Sequence, residues 1–423
     1  MLILRSIGRL FTSTGGPVVT DAVVAVRDGV IVYAGPEAGF AGAGRLNDSG
    51  PDYHPDAGHP DAGHPDAAEL AEAEIVDLGG ALVTPGLIDA HSHPLYGGNR
   101  FGEITMRSAG ASYSEIAAAG GGIASTVTAT RATPAAALEA GVRERLRTWL
   151  ATGTTTLEAK TGYHLNEPGE LEAVRILARL AASPDDPLPS LEVTWLAGHG
   201  VGPEFAGDQD AYADAVCQWA DGARGAGARH ADVFCDEGYF TVDQARRMLT
   251  AAARAGLIPR IHADELARTG GAQLAAELGC ASADHLLLID EADARALAGA
   301  GVVATLAPVT ALAMGRTPPV HALIDAGATI ALGSDHNPGT CGTTSMSLVV
   351  ALAVAELGMS VDAALVAASA GGAASLRLSD RGRIAPGLRA DLVAWDTEHE
   401  GAFAWSYGLR PLGVWKTGRR LVG

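Results

Sequence analysis

Lysine is almost missing from this 423-residue chain: Lys160 and Lys416 stand alone beside the arginines. Basic residues number 30 against 49 acidic ones, a formal charge of −19. A balance this acidic opposes extended contact with phosphate backbones or anionic lipid, so neither nucleic acid nor a membrane surface is expected as a partner. Cysteine is sparse too. Cys217, Cys235, Cys280 and Cys341 lie far apart without a C-x-x-C pair, which excludes a disulfide frame and suits a reducing compartment. Long apolar runs are missing as well. The stretch LVVALAVAEL from Leu348 to Leu357 is too short for a membrane span and carries Glu356, so it reads as a buried or amphipathic helix. The opening MLILRSIGRL lacks the long apolar core and cleavage site of a secretion signal. A cytoplasmic location is the expectation.

What is present is enough apolar residue, 48% of the chain, to bury one large barrel or two to three smaller domains. Residues 2 to 35 alternate short β-branched runs with turn signals, and Asp28-Gly29 between two such runs reads as a hairpin. The same texture returns in GRIAPGLRADLVAWD and LGVWKTGRRLVG, so both chain ends are expected to build one small β domain, from residues 1–84 and 376–423. Between Asp52 and Ala67 the unit HPDA(G/A) repeats at His54, His59 and His64. It has no apolar face to bury and reads as a solvated insertion, not a catalytic element.

From Leu82 to Asp335, β-like runs alternate with Ala- and Leu-rich helical stretches. Eight candidate strands are ALVTPGLIDAHSH, GTTTLEAK, LEVTWLAGH, HADVFCDEG, GLIPRIHADE, SADHLLL, GVVATLAP and TIALGSD. That is the count of an α/β fold of TIM type, a (β/α)8 barrel over residues 85–375. Titratable residues collect at the C-terminal ends of these runs, where such barrels carry their chemistry.

His91 and His93 are two apart, a spacing that puts both imidazoles on one face of a strand. His262 and Asp335 end later strands. Three imidazoles and one carboxylate suit Zn²⁺ or Fe²⁺ and leave room for water, whose pKa a bound ion lowers from 15.7 to about 7. Asp335 is then the first candidate for general base, Glu265 for proton shuttle to the leaving nitrogen, and His285 for polarising a carbonyl or stabilising an oxyanion. Either carboxylate could instead serve only to orient a neighbour, and His285 could be a hydrogen-bonded core histidine. A two-metal site commonly uses a carboxylated lysine bridge, and the barrel holds only Lys160; one ion is expected, with Cys235 and Glu158 as the remaining bridging options. Lys160 is expected to pair with a carboxylate such as Glu158 or Glu170.

The stretch PGLIDAHSH, the late Asp335 and the closing GRIAPGLRADLV resemble the amidohydrolase superfamily. The order GTTTLEAKTGYHL, LAGHGVGPEF, DVFCDEGYF, HADE, SADHL and SDHNPGT further resembles its imidazolonepropionase family, over nearly the whole chain from about Pro85. The resemblance implies hydrolysis of 4-imidazolone-5-propanoate to N-formimidoyl-L-glutamate, with the metal on His91, His93, His262 and Asp335. It implies Arg100, helped by Tyr163, on the substrate carboxylate, His199 and Glu265 on the ring, and Asn337, Gly339 and Thr340 lining the product side. The sequence departs from the family pattern at His164, beside Tyr163, and in the loop 306–319. These departures leave room for another small cyclic amide or imide as substrate, or for a deaminase on the same scaffold. The expected partner is a small carboxylate-bearing molecule, with a homodimer as the possible assembly.

Replacing residues 52–67 by a short Gly/Ser link is expected to leave turnover nearly unchanged. A large loss of activity in a folded variant would mean that the repeat reaches the site or an assembly contact.

Overall fold

The computed structural model describes residues 1–42, 72–111, 115–116, 119–183 and 186–423; the His-Pro-Asp repeat lies outside them. The N-terminal run forms β1 (Leu2–Leu10), β2 (Val19–Arg27) and β3 (Val30–Pro36). Asp28 and Gly29 join β2 to β3 with φ of +50° and +79°, the left-handed pair that lets a two-residue hairpin follow strand twist. β4 (Glu74–Asp77) and β5 (Leu82–Pro85) then run parallel to β1.

Eight parallel strands follow: β6 (Leu87–Asp89), β7 (Thr154–Lys160), β8 (Ser190–Gly198), β9 (His230–Cys235), then β10 (Ile258–Pro259) continuing past Arg260 into β11 (Ile261–Ala263), β12 (Ser282–His285), β13 (Val303–Leu306) and β14 (Ile330–Leu332). Helices cross between them. Their ends carry explicit stop and start signals: Thr241 and Gln244 form a reciprocal cap on Val242–Arg254, Asp290 and Asp293 do so on Glu291–Ala300, and Gly227 ends Gln209–Ala226 at φ +112°. The apolar stretch around Leu348 is the buried helix Met346–Ala355. Among the described residues no helix is long and apolar enough to cross a membrane.

The barrel closes where β6 meets β14. Ala90 N donates to Leu332 O at 3.1 Å, Asp335 N to His91 O at 2.9 Å, and His93 N to His336 O at 2.8 Å. Asp89 reinforces this seam. Its carboxylate accepts from Ser334 N (2.8 Å), Ser334 Oγ (2.5 Å) and Trp149 Nε1 (2.8 Å).

β15 (Leu392–Trp395), β16 (Pro411–Lys416) and β17 (Arg419–Val422) return to the first sheet, with β15 antiparallel to β5, as expected of a domain built from both ends. Leu4, Ile7, Val24, Leu392 and Trp415 form its separate core.

One expected strand is divided. ALVTPGLIDAHSH reads as a single run, yet β5 belongs to the terminal sheet and β6 to the barrel. The switch is made at Gly86, whose N–H reaches Asp391 O at 2.8 Å. A Cβ there would lie 2.1 Å from Thr155 Oγ1, so no larger residue fits between the two sheets.

Gly86→Ala is accordingly expected to lower stability by about 1–3 kcal/mol through overpacking. The check is a lower urea midpoint at unchanged denaturant slope; an unshifted midpoint would show that Thr155 yields freely.

Candidate active site

Side chains on a barrel strand alternate between the interior and the helices. Glu158 and Lys160 on β7, Asp232 on β9, His262 on β11 with Arg260 just before it, and Asp284 on β12 share the inward parity, and every one is buried. They form two levels. The upper level, at the C-terminal mouth, holds the expected ligands: one donor atom each from His91, His93 and His262 lie within 4.8 Å of one another, as do those from His91, His285 and Asp335. His91 Nε2 and His93 Nε2 are 3.3 Å apart and lie 3.5 and 3.4 Å from Asp335 Oδ1. His285 and Asp335 hold left-handed backbones, φ +74° and +49°, strain that turns both side chains into the site at the ends of their strands.

The lower level is an ion lattice that fixes the upper one. Lys160 Nζ lies 3.0 Å from Glu158 Oε1, 2.5 Å from Asp232 Oδ2 and 3.3 Å from Asp284 Oδ2. Arg260 Nε lies 2.8 Å from Glu158 Oε1, and its Nη atoms donate to Ser375 O (2.6 Å) and Ala90 O (2.9 Å). Two of these acids reach upward: Asp284 Oδ2 is 2.7 Å from His91 Nδ1 and Asp232 Oδ2 is 3.0 Å from His262 Nδ1. Each carboxylate therefore fixes ring orientation and leaves the far nitrogen as the donor.

The donor set fits a divalent cation. Among the described residues, Glu158, Asp232, Asp284 and Asp335 face Lys160 and Arg260 as their fixed cations, leaving two negative charges that one M²⁺ would balance. Burial and Lys160 oppose charge on His91, yet Asp284 and Asp335 raise its pKa to about 9; the site pulls positive charge to this ring. Burial outweighs Asp335 at His93 and drops it to about 3, a neutral imidazole ready to ligate. Lys160 is unsuited to bridging. Burial works against its charge, but Asp232, Glu158 and Asp284 hold it above the usual lysine range, and carboxylation needs the neutral amine. Glu158 Oε1 is held by Lys160, Arg260 and Thr194 Oγ1. Cys235 is buried, pushed up to about 12 chiefly by desolvation, and is no part of the cleft.

One narrow cleft above the ligands is lined by Arg100, Tyr163, His199, Glu265, Asn337 and Thr340, together with His93, His262, His285 and Asp335. Gly339 stands behind it: a Cβ there would meet Arg100 Nη1 at 2.3 Å. Arg100 is buried and already gripped by Glu103, through Nε at 2.9 Å and Nη2 at 2.7 Å. His199 Nδ1 is held by Gly162 O at 3.1 Å, and its ring stacks on His93 with centroids 5.1 Å apart. Asn337 shapes its own loop, donating to Asp335 O and Thr340 Oγ1 while its Oδ1 accepts from Gly339 N and Thr340 N. Burial, then Asp335 and Asp236, push Glu265 up to about 8, whereas His91 and His93 hold Asp335 far below the carboxylate range against the effect of burial. His285 Nδ1 is 3.6 Å from Glu265 Oε1.

Some expectations need correction. Lys160 pairs with Glu158 but not Glu170, which instead accepts backbone N–H groups of Gly162, His164 and Leu165. Asp335, the candidate base, has a further partner: Thr310 Oγ1 donates to its Oδ2 at 2.6 Å, which orients the carboxylate and leaves that oxygen a second lone pair. His164 turns away from the cleft and packs over Gly169, where a Cβ would sit 2.6 Å from its ring. Sequence reasoning passed over Asp232, Asp284, Arg260, Thr310, Phe234 and Met314. Strand parity could have found Arg260, two residues before His262, and Asp284 stands directly before His285; the others had no such signal.

The Amidohydrolase family model matches residues 82–421. Curated relatives named imidazolonepropionase include those of Anaeromyxobacter dehalogenans, 44% identical over 82% of this chain and 83% of the relative, and Streptomyces coelicolor, 45% identical over 82% and 86%. That of Porphyromonas gingivalis is 37% identical over 99% of this chain and 92% of the relative. Among solved structures, a 5-methylcytosine deaminase from Klebsiella pneumoniae covers 99% of this chain and 97% of its own at TM-score 0.72 and 16% identity, a likeness of fold alone.

Lys160→Met should remove the one cation shared by three buried carboxylates and cost about 3–5 kcal/mol, lowering the unfolding midpoint and loosening metal retention together. Parent-like stability and metal content would show that the lattice does not depend on this cation.

Proposed function

The chain belongs to the amidohydrolase family, in its imidazolonepropionase branch, and we propose that its cleft opens the ring of 4-imidazolone-5-propanoate to N-formimidoyl-L-glutamate on a single zinc or iron ion. The observation that carries this reading is one cleft that brings a buried arginine to three convergent imidazoles and two carboxylates of opposite pKa. The family is metal-dependent, and His91, His93, His262 and Asp335 would hold the ion. When bound it supplies Lewis acidity, activating water and polarising the ring carbonyl at neutral pH.

The chain's own groups divide the remaining work. Arg100 and Tyr163 take the propionate, fixing the ring over the imidazoles, since a guanidinium fork matches a carboxylate. Asp335, ionised, accepts the proton of the attacking water; Glu265, protonated below about 8, delivers one to the ring nitrogen as the C–N bond breaks. Carboxyls pushed apart in this way mark base and acid. His285, a neutral imidazole because burial and His91 hold it well below its usual value, donates to the oxygen that gains charge. His199 stacks beside the ring, and Asn337, Gly339 and Thr340 shape the product side. Residues 85–375 form the catalytic barrel in this reading, and the four free cysteines support a reducing cytoplasmic setting.

Product identification after incubation with fresh imidazolone propionate tests the reading: formimidoylglutamate without ammonia is expected, and released ammonia would point to a deaminase. Arg100→Met should cost about 1.5–3 kcal/mol in kcat/KM, roughly ten- to 150-fold, with metal retained. An analogue lacking the propionate should be little affected. Parent-like turnover would remove Arg100 from the carboxylate site. For Glu265 the raised pKa means that the donating form is lost as pH rises, so kcat/KM should fall above about pH 8, earlier if the bound cation lowers that value. Glu265→Gln should abolish this limb; a limb that persists would assign it to another group.

A further inference from the structure

A second cavity, about 670 Å³, lies on the outer side of Arg100 and the 337–342 loop. Tyr96, Arg100, Arg107, Arg145 and His336 line it, with no carboxylate among the lining residues, in a chain of charge −19. Arg100 is matched by Glu103. Among the described residues the other two arginines have no carboxylate within 4.0 Å, although Arg107 adds to the field that holds Glu103 below its usual range. Arg107 Nη2 donates to Gly339 O; Arg145 donates to Pro94 O (2.9 Å) and Tyr96 O (3.3 Å) and lies 3.7 Å over the Tyr96 ring. Carbonyls and an aromatic face orient a guanidinium without cancelling its charge. Two half-buried cations held in fixed directions around a cavity, whose walls focus their field, are complementary to a small anion.

The cavity shares Arg100, Asn337 and Thr340 with the reaction cleft. Ring opening turns a substrate with one carboxylate into a product with two. We propose that the outer cavity is a dicarboxylate subsite, in which Arg107 and Arg145 receive the second carboxylate as the acyclic product leaves. The identity of that acid rests on the reaction proposed above; the anion site rests on the cavity.

Calorimetry on the metal-loaded full chain, with glutarate as probe and butyrate as the one-carboxylate control, tests it without turnover. Glutarate is expected to bind at least tenfold tighter than butyrate. Arg145→Met should remove most of that advantage while butyrate binding stays, and Arg145→Lys should restore part of it. Arg107→Met gives the same reading if Arg145→Met fails to fold. Equal binding of the two acids, or glutarate binding unchanged in both Met variants, would overturn the subsite. Loss of glutarate binding in the variants of an enzyme that does not open imidazolone propionate would keep the subsite and sink the reaction instead.

Discussion

Five charged side chains sealed inside the barrel govern the rest of the site. Lys160 and Arg260 have no access to water, and burying them is tolerable only because Glu158, Asp232 and Asp284 surround them. A buried lattice of this kind adds little net stability but resists rearrangement, since moving one member strands the others. His91 and His262 inherit that rigidity through Asp284 and Asp232. The excess of acid over base in the lattice also sets the sign of the site: it draws a cation to the imidazoles above it.

The second constraint is closure. β6 and β14 are the two ends of the barrel's strand order, and the residues at their meeting, His91, His93 and Asp335, are also the proposed ligands. Asp89 holds both sides of the seam through Ser334. Site geometry thus depends on barrel closure, because a barrel left open at this seam would separate the carboxylate from two of its three imidazoles. The glycine switch at Gly86 serves the same end by delivering β6 directly from the terminal sheet.

Most of this was legible in the chain. Apolar runs ending in His or Asp marked the barrel strands and the mouth that carries the chemistry, and the Asp28-Gly29 pair marked the hairpin. The hidden part was what lies one level below the mouth. Asp232, Asp284 and Arg260 stand within apolar runs, where a charge reads as an irregularity until strand pairing shows three strands contributing to one layer. Loop residues were harder still. Thr310 reaches Asp335 only because the chain after β13 folds across the cleft, and His164 leaves the site because Gly169 gives its ring a place to pack. No local pattern encodes either contact.

The central claim, that an ion lattice aims three imidazoles at one cation while keeping Lys160 charged, is tested most directly by anomalous diffraction from crystals of the metal-loaded protein. One ion is expected, bound by His91, His93, His262 and Asp335, above an unmodified Lys160 paired with Glu158, Asp232 and Asp284. A second ion bridged through Lys160, or a single ion lying away from His262, would contradict it.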